Sequence, residues 1–219
     1  MVGNKSIFEY QNIIWDWNGT LLNDNWICVE IVNKLLKNHN DRQLDLSSYK
    51  NVFGFPIMDY YKKIGIDLKK ESFNQLTEKF ISDYESKVKQ CELQNGATKV
   101  LNQIKEQGKN QYILTAAHKK SVVELLKHYS IENIFKKVEG LNNHRAESKV
   151  ERGHKLIKEN QVSIENTVLI GDTIHDFEVA SLLGVKSILI ANGHQSKSRL
   201  IEKTKNEVPI YDNISELII

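Results

Sequence analysis

The stretch NIIWDWNGTLLND, residues 12–24, decides which fold we expect of this chain. Its apolar run, Ile13–Trp15, predicts a buried strand, and the residue that follows is a carboxylate, Asp16. The chain then turns at Asn18 and Gly19 before the apolar pattern resumes. A buried strand that ends on an acid and a turn places a charged group at the edge of a sheet, where it is available for chemistry.

The composition is that of a folded protein with a balanced surface charge. Its 219 residues are 40% hydrophobic, enough to bury the core of one domain, or of one domain that carries an inserted module. The net charge is +2 and the lysines are interleaved with acidic residues, so no basic stripe predicts nucleic-acid binding. No apolar stretch reaches the ~18 residues of a membrane span, and the N-terminal sequence lacks the layout of a signal peptide. We therefore expect a cytoplasmic protein without nucleic-acid or membrane partners, whose oligomeric state the sequence leaves open.

Short apolar runs alternate with amphipathic helical patterns along most of the chain. The runs are Asn12–Trp17, Gln111–Thr115, Lys137–Gly140, Thr167–Gly171 and Lys186–Ala191. Buried strands that are separated by helices predict a parallel sheet with helices on both faces. The expected fold class is therefore α/β, with a Rossmann-like core.

One connection is too long for this alternation. From Asp24 to about Glu92 the pattern is helical throughout, whereas a crossover between two parallel strands needs only one helix. We therefore predict an inserted all-helical cap at residues 24–92. The α/β core is then formed by residues 1–23 and 93–219.

The residues that could take part in catalysis or binding lie at the ends of the predicted strands. In open parallel sheets, ligands bind beyond the carboxyl ends of the strands. The residues there are Asp16, Thr115, Lys149, Asp172 and Asp176. Each alone has an ordinary explanation as a turn, cap or surface residue. Together, three carboxylates, a hydroxyl and an ammonium group at one edge are costly to hold unless a cation and an anion lie among them.

These residues, in this order, resemble the four motifs of the haloacid dehalogenase superfamily. The motifs are DWNGTLL at residues 16–22, the strand ending in Thr115, Lys149, and GDTIHD at residues 171–176. The helical insert after the first motif resembles the small helical cap of that superfamily. The segment LQNGATKVLNQIKEQGKNQYILTAA, residues 93–117, resembles the return from cap to core in phosphoglycolate-phosphatase-like members. The resemblance implies an Mg²⁺-dependent hydrolase or phosphotransferase that acts on small phosphorylated metabolites through an aspartyl-phosphate on Asp16.

The resemblance also implies a metal site. A carboxylate that attacks a phosphate dianion meets a repulsion of about 4 kcal/mol per pair of unit charges at 4 Å and an effective dielectric of ~20, so positive charge is needed. The implied Mg²⁺ ligands are the Asp16 carboxylate, the main-chain carbonyl of Asn18 and the Asp172 side chain, with Asp176 orienting the waters of the ion.

A phosphate site is implied beside the metal. Lys149 would offset negative charge on the phosphate and on Asp16. The Thr115 hydroxyl and the main-chain N–H groups of Ala116 and Gly19 would bind the phosphate oxygens.

Asn18 departs from the superfamily pattern. Phosphatases of the superfamily have an aspartic acid there, which protonates the leaving group and then activates water, whereas an amide does not titrate. General acid–base catalysis contributes a factor of ~10² to 10⁴, whereas enzymes accelerate reactions by ~10⁶-fold or more. We therefore expect a slower enzyme rather than an inactive one. His118, His175 and His194 are candidates for a substitute acid.

Three competing interpretations belong to other classes. A dehalogenase would also use Asp16 but needs no Mg²⁺, and the presence of both Asp172 and Asp176 argues against it. A phosphorylated receiver domain would place its acid pair before the phosphorylated aspartate and would lack so large an insert. A non-catalytic phosphate-ligand binder or regulatory pseudo-enzyme is favoured by Asn18 and stays open, as does the identity of the substrate.

Overall fold

A parallel sheet forms the centre of the molecule in the computed structural model, which describes residues 6–40, 42–142 and 148–218. In chain order, the strands are β1 (Asn12–Trp15), β2 (Leu22–Asn23), β3 (Glu92–Leu93), β4 (Asn110–His118), β5 (Phe135–Leu141), β6 (Thr167–Gly171), β7 (Lys186–Ile190) and β8 (Ile210–Tyr211). Six of them form one sheet in the order β5–β4–β1–β6–β7–β8, and every pairing in it is parallel. This confirms the predicted parallel sheet, with β8 as a further strand.

Helices cover both faces of this sheet. They are α1 (Asn25–Leu36), α2 (Leu46–Val52), α3 (Ile57–Ile64), α4 (Phe73–Lys87), α5 (Ala97–Glu106), α6 (Lys119–His128), α7 (Lys149–Glu159), α8 (Ile174–Leu183) and α9 (Lys197–Thr204). Ile13 and Trp15 of β1 belong to the apolar cluster that contains the buried residues of α5 and α6. Ile14 points to the other face, into the cluster formed with α7 and α8. None of the described helices combines the length and the apolarity that crossing a bilayer requires.

The long connection after β1 contains four helices, α1 to α4. Their buried side chains, among them Val32, Tyr49, Ile64 and Leu76, form a hydrophobic cluster of their own. The chain enters and leaves this helical insert through β2 and β3, which pair antiparallel with Leu22 opposite Leu93. The observed helices agree with the predicted helical pattern, while the boundaries at residues 24 and 92 stay a prediction.

A group of hydrogen bonds, which we call the clasp, joins the end of α2 to the segment that precedes and begins α9. Arg199 Nη1 donates to the main-chain carbonyls of Lys50 (3.0 Å) and Phe53 (2.5 Å). Gln195 Nε2 donates to Phe53 O (3.1 Å), and the Ser196 N–H donates to Lys50 O (3.2 Å). The clasp holds the helical insert over the carboxyl edge of the sheet.

Candidate active site

The fold brings two of the predicted acids to neighbouring strand ends. Asp16 directly follows β1, which lies between β4 and β6 in the sheet. Asp172 directly follows β6, so the two carboxylates lie at the same edge. Both side chains are buried. Thr115 lies within β4 rather than at its end, because the strand continues to His118.

Lys149, the first residue of α7, joins the acids. Its Nζ donates to Asp16 Oδ1 at 2.5 Å and to Asp176 Oδ1 at 2.6 Å. Ser148 caps α7 and fixes where the helix begins, since its hydroxyl accepts from the Glu151 N–H. Burial alone would lower the pKa of Lys149, but the two carboxylates outweigh that effect and raise the pKa, so the side chain stays an ammonium.

Hydrogen bonds fix the other two acids. Asp172 accepts from the Thr20 hydroxyl at 2.8 Å and from the His194 N–H at 2.6 Å. Asp176 Oδ2 accepts from the Thr173 N–H and hydroxyl at 3.0 and 2.6 Å. The backbone packs so closely on Asp172 that a Cβ at Gly19, where φ is +76°, would lie 2.4 Å from Asp172 Oδ2. This crowding explains the glycine in the turn within the first motif.

The three carboxylates carry more negative charge than Lys149 neutralises. Oxygens of Asp16, Asp172 and Asp176 lie within 4.8 Å of one another. Burial, with help from the neighbouring carboxylates, raises the pKa of Asp16 to about 8 against the opposing effect of Lys149. Burial also raises the pKa of Asp172 to about 6. For Asp176, burial alone would raise the pKa, but Lys149 lowers it below the ordinary value. A further cation would relieve this imbalance, and clustered carboxylate oxygens are ligands that Mg²⁺ prefers.

The predicted phosphate-binding groups differ in their availability. The Thr115 hydroxyl is buried and accepts from the Ala117 N–H at 3.0 Å, so its own proton can be donated. Ala116 is exposed. The Gly19 N–H donates to Leu22 O at 3.0 Å and to Asp24 Oδ1 at 2.8 Å. Binding of phosphate by Gly19 would therefore require these bonds to open.

Asn18 belongs to a polar network that sequence reasoning missed. Its Nδ2 donates to Asp24 Oδ2 at 2.8 Å and to the Tyr84 hydroxyl at 2.7 Å. The Tyr84 hydroxyl in turn donates to Asp24 Oδ2 at 2.7 Å. Asp24 lies two residues after the first motif, directly before α1, and no local sequence pattern connects it to Tyr84 on α4. The amide at position 18 thus links the nucleophile loop to the helical insert.

The three candidate histidines lie in different surroundings. His194 is buried with both ring nitrogens engaged, Nε2 with Asp24 at 3.2 Å and Nδ1 with the Tyr49 hydroxyl at 3.0 Å. Burial disfavours its charged form, but Asp24 overcomes this and the pKa of His194 rises to about 9. His175 and His118 both line the cavity between insert and sheet, and burial lowers the pKa of His175. His194 lines the same cavity, but its ring nitrogens are already engaged by Asp24 and Tyr49.

That cavity has a volume of about 330 Å³ and opens onto Asp16 and Lys149. Its walls are mostly apolar and include aromatic side chains from α3, α4 and the loop between α2 and α3. The site can therefore hold an anionic group at the strand ends and an apolar group under the helical insert.

Three features together define a class of α/β phosphatase-like hydrolases. They are a carboxylate at a strand end, a lysine that bridges it to a second acid, and a helical insert above the sheet. Residues 13–190 match the family described as haloacid dehalogenase-like hydrolase. The chain belongs to that family, which confirms the resemblance in the motifs.

Individual relatives agree with this assignment. A 5'-nucleotidase from Pseudomonas aeruginosa is 26% identical over 203 residues, which cover 88% of this chain and 87% of the relative. A solved haloacid dehalogenase-like hydrolase from Streptococcus pneumoniae superposes with a TM-score of 0.79 at 18% identity, covering 96% of this chain and 97% of the other. The crystal structure of a predicted phosphoglycolate phosphatase from Haemophilus somnus superposes with a TM-score of 0.73 at 17% identity, covering 96% of this chain and 97% of the other. At these identities the two structures show a shared fold.

Proposed function

We propose that the chain is an Mg²⁺-dependent phosphatase that hydrolyses a small phosphorylated metabolite through an aspartyl-phosphate on Asp16. The observation that carries the proposal is the pairing of the buried Asp16 carboxylate with Lys149 Nζ at 2.5 Å, at the carboxyl end of β1, which lies between β4 and β6. This pairing holds the attacking group in one position and supplies positive charge beside it.

The reaction needs two displacements at phosphorus. In the first, an Asp16 oxygen forms a bond to phosphorus while the bond to the leaving oxygen breaks, and that oxygen departs with the electron pair. In the second, water attacks phosphorus, releases inorganic phosphate and restores the Asp16 carboxylate. Lys149, held by Asp176, would stabilise the negative charge in both steps, and the Thr115 hydroxyl would donate to a phosphate oxygen.

The donor set fits magnesium. The carboxylates of Asp16 and Asp172 and the main-chain carbonyl of Asn18 would hold the ion, with Asp176 orienting its waters. All are hard oxygen donors, and the unbalanced negative charge of the three acids supports the fit. When bound, the ion offsets negative charge on the phosphate.

Asn18 favours a second candidate function, a non-catalytic binder of phosphate ligands. The side chain that would act as acid and base is an amide in a network with Asp24 and Tyr84, and it does not titrate. A binder would hold a phosphorylated ligand without releasing phosphate from it.

Phosphate release separates the two candidates. We expect the purified protein to release inorganic phosphate from phenyl phosphate with Mg²⁺, to lose this activity with a chelator and to regain it when Mg²⁺ is restored. Retention of full activity after chelation would contradict the metal assignment. Absence of release from aryl, alkyl and acyl phosphates alike, in a protein that still binds phosphate, would favour the binder.

The stabilisation of the protein by Mg²⁺ should depend on pH. The pKa of Asp16 rises from 3.8 to about 8, so between these values the folded protein holds a proton that the unfolded chain has released. The stability from this proton is complete below the ordinary pKa and is lost as pH rises through about 8. Protons also compete with the metal at low pH. Mg²⁺ should therefore raise the Tm more at pH 8 than at pH 5, and an equal shift at both values would contradict this prediction.

A further inference from the structure

We propose that the group released from the phosphate is an uncharged aromatic alcohol of the phenol type, held in the cavity beneath the helical insert. The inference rests on the proposed phosphatase function and adds to it the chemical class of the substrate, a monoester of phosphate with an aromatic hydroxyl.

The walls of the cavity match a flat apolar group. Phe53, Phe55, Phe80 and Tyr84 contribute aromatic rings from the insert, and Trp17 contributes one from the nucleophile loop. Neighbouring rings lie at stacking or edge distances, with Phe53 and Phe55 centroids 5.6 Å apart and Phe80 and Tyr84 centroids 6.0 Å apart. Surfaces of this kind bind aromatic ligands through apolar burial and ring packing.

Among the described residues that line the cavity, each cationic side chain is already paired with a carboxylate, so none is left to pair with an anionic leaving group. Among the described residues that line it, Lys149 is the one lysine and there is no arginine. Lys149 is already paired with Asp16 and Asp176. His194, whose pKa is raised to about 9, also lines the cavity and is already paired with Asp24. The insert instead contributes two acids to the lining, Asp24 and Glu85. A carboxylate on the leaving group, as in glycolate, would therefore be buried without a cation of its own and near other carboxylates.

The amide at position 18 supports the same conclusion independently. The leaving oxygen of an alkyl phosphate departs as a strongly basic alkoxide and needs a proton, which Asn18 cannot give. An aryloxide is a weaker base and departs more readily without one. The ring-lined cavity and the missing acid thus select the same kind of substrate.

Four phosphate monoesters separate the contributions to this selectivity. Each of the other three is compared with phenyl phosphate. 4-Carboxyphenyl phosphate differs from it mainly in charge, and benzyl phosphate differs mainly in how much its leaving oxygen needs a proton. 2-Naphthyl phosphate differs mainly in apolar area. With Mg²⁺, we expect kcat/KM to fall about tenfold or more from phenyl to 4-carboxyphenyl phosphate. A fall of ~10²-fold is expected from phenyl to benzyl phosphate. 2-Naphthyl phosphate should have a KM about threefold to tenfold below that of phenyl phosphate.

A charge placed on the cavity wall tests the electrostatic part. Phe55 is 44% exposed and packs against His175, with ring centroids 4.9 Å apart, so a lysine there is tolerable for folding. Phe55→Lys should reduce the difference between phenyl and 4-carboxyphenyl phosphate by up to about fivefold. Met58, 40% exposed on α3, is not among the described lining residues, and Met58→Lys should leave the difference unchanged.

The outcomes distinguish this inference from the function on which it rests. Mg²⁺-dependent hydrolysis of phosphoglycolate or 4-carboxyphenyl phosphate at or above the rate of phenyl phosphate would overturn the substrate class and leave the phosphatase standing. A preference for adenosine 5'-monophosphate over 2-naphthyl phosphate would do the same and would point to nucleotides. No phosphate release from any ester would overturn the phosphatase, and the substrate class with it.

Discussion

Replacing Asp16 with asparagine should lower phosphate release by about 10⁴-fold or more, because the attacking oxygen becomes part of a poorly nucleophilic amide. The substitution keeps the size of the side chain. It also leaves Lys149 with Asp176 as a partner at 2.6 Å, so the site should remain folded. Steady-state phosphate release and thermal unfolding, measured on the same preparation, separate loss of chemistry from loss of structure.

A matched control is available on the helical insert. Asp59 has an exposed side chain on α3 and pairs only with Lys62, at 3.4 Å, among its described contacts. Asp59→Asn should keep the wild-type rate. In addition, wild-type protein quenched early in the reaction should carry the mass of one added phosphoryl group, and Asp16→Asn should not. Near wild-type turnover in Asp16→Asn would refute the proposed mechanism.

Replacing Asn18 with aspartate should raise the turnover of alkyl phosphates such as benzyl phosphate by up to ~10²-fold. The new carboxylate would lie close to Asp24, because Asn18 Nδ2 is now 2.8 Å from Asp24 Oδ2. Two carboxylates at such a distance do not ionise together readily, so the pair would retain a proton near neutral pH. That proton is the one the leaving oxygen lacks in the wild-type protein.

The effect should be selective for the leaving group. Phenyl phosphate should gain much less than benzyl phosphate, and Asn18→Ala, which removes the amide without adding an acid, should accelerate neither. The pH profile of the aspartate variant should lose activity on the alkaline side as the shared proton is released. A benzyl phosphate rate that stays flat or falls would mean that the native site has its own acid, with His175 and His118 the first candidates, or that it does not hydrolyse phosphate.

The sequence predicted the core of the site because parallel strands bring their carboxyl ends to one edge. Asp16 and Asp172 follow neighbouring strands, so their proximity depends only on assigning those strands correctly. Lys149 begins α7, and the capping Ser148 before it marks the start of that helix in the sequence. The catalytic and metal-binding roles of these residues remain predictions.

Other features depend on tertiary packing that local patterns do not record. The two residues of β8 are too short a run to stand out as a strand. The contact of Asn18 with Tyr84 depends on how α4 crosses the nucleophile loop, and helical periodicity gives the buried face of a helix but not its partner. His194 appeared to be a loop residue in the sequence, yet it is buried against Asp24.

The clasp has a consequence for how substrate choice could diversify. On the side of the helical insert, its acceptors are the main-chain carbonyls of Lys50 and Phe53, which any residue at those positions would supply. The donors Gln195 and Arg199 come from the core. Side chains that line the cavity can therefore be exchanged without removing the bonds of the clasp. Mutational drift or directed evolution could alter what the cavity accepts while the proposed catalytic residues and the clasp stay intact.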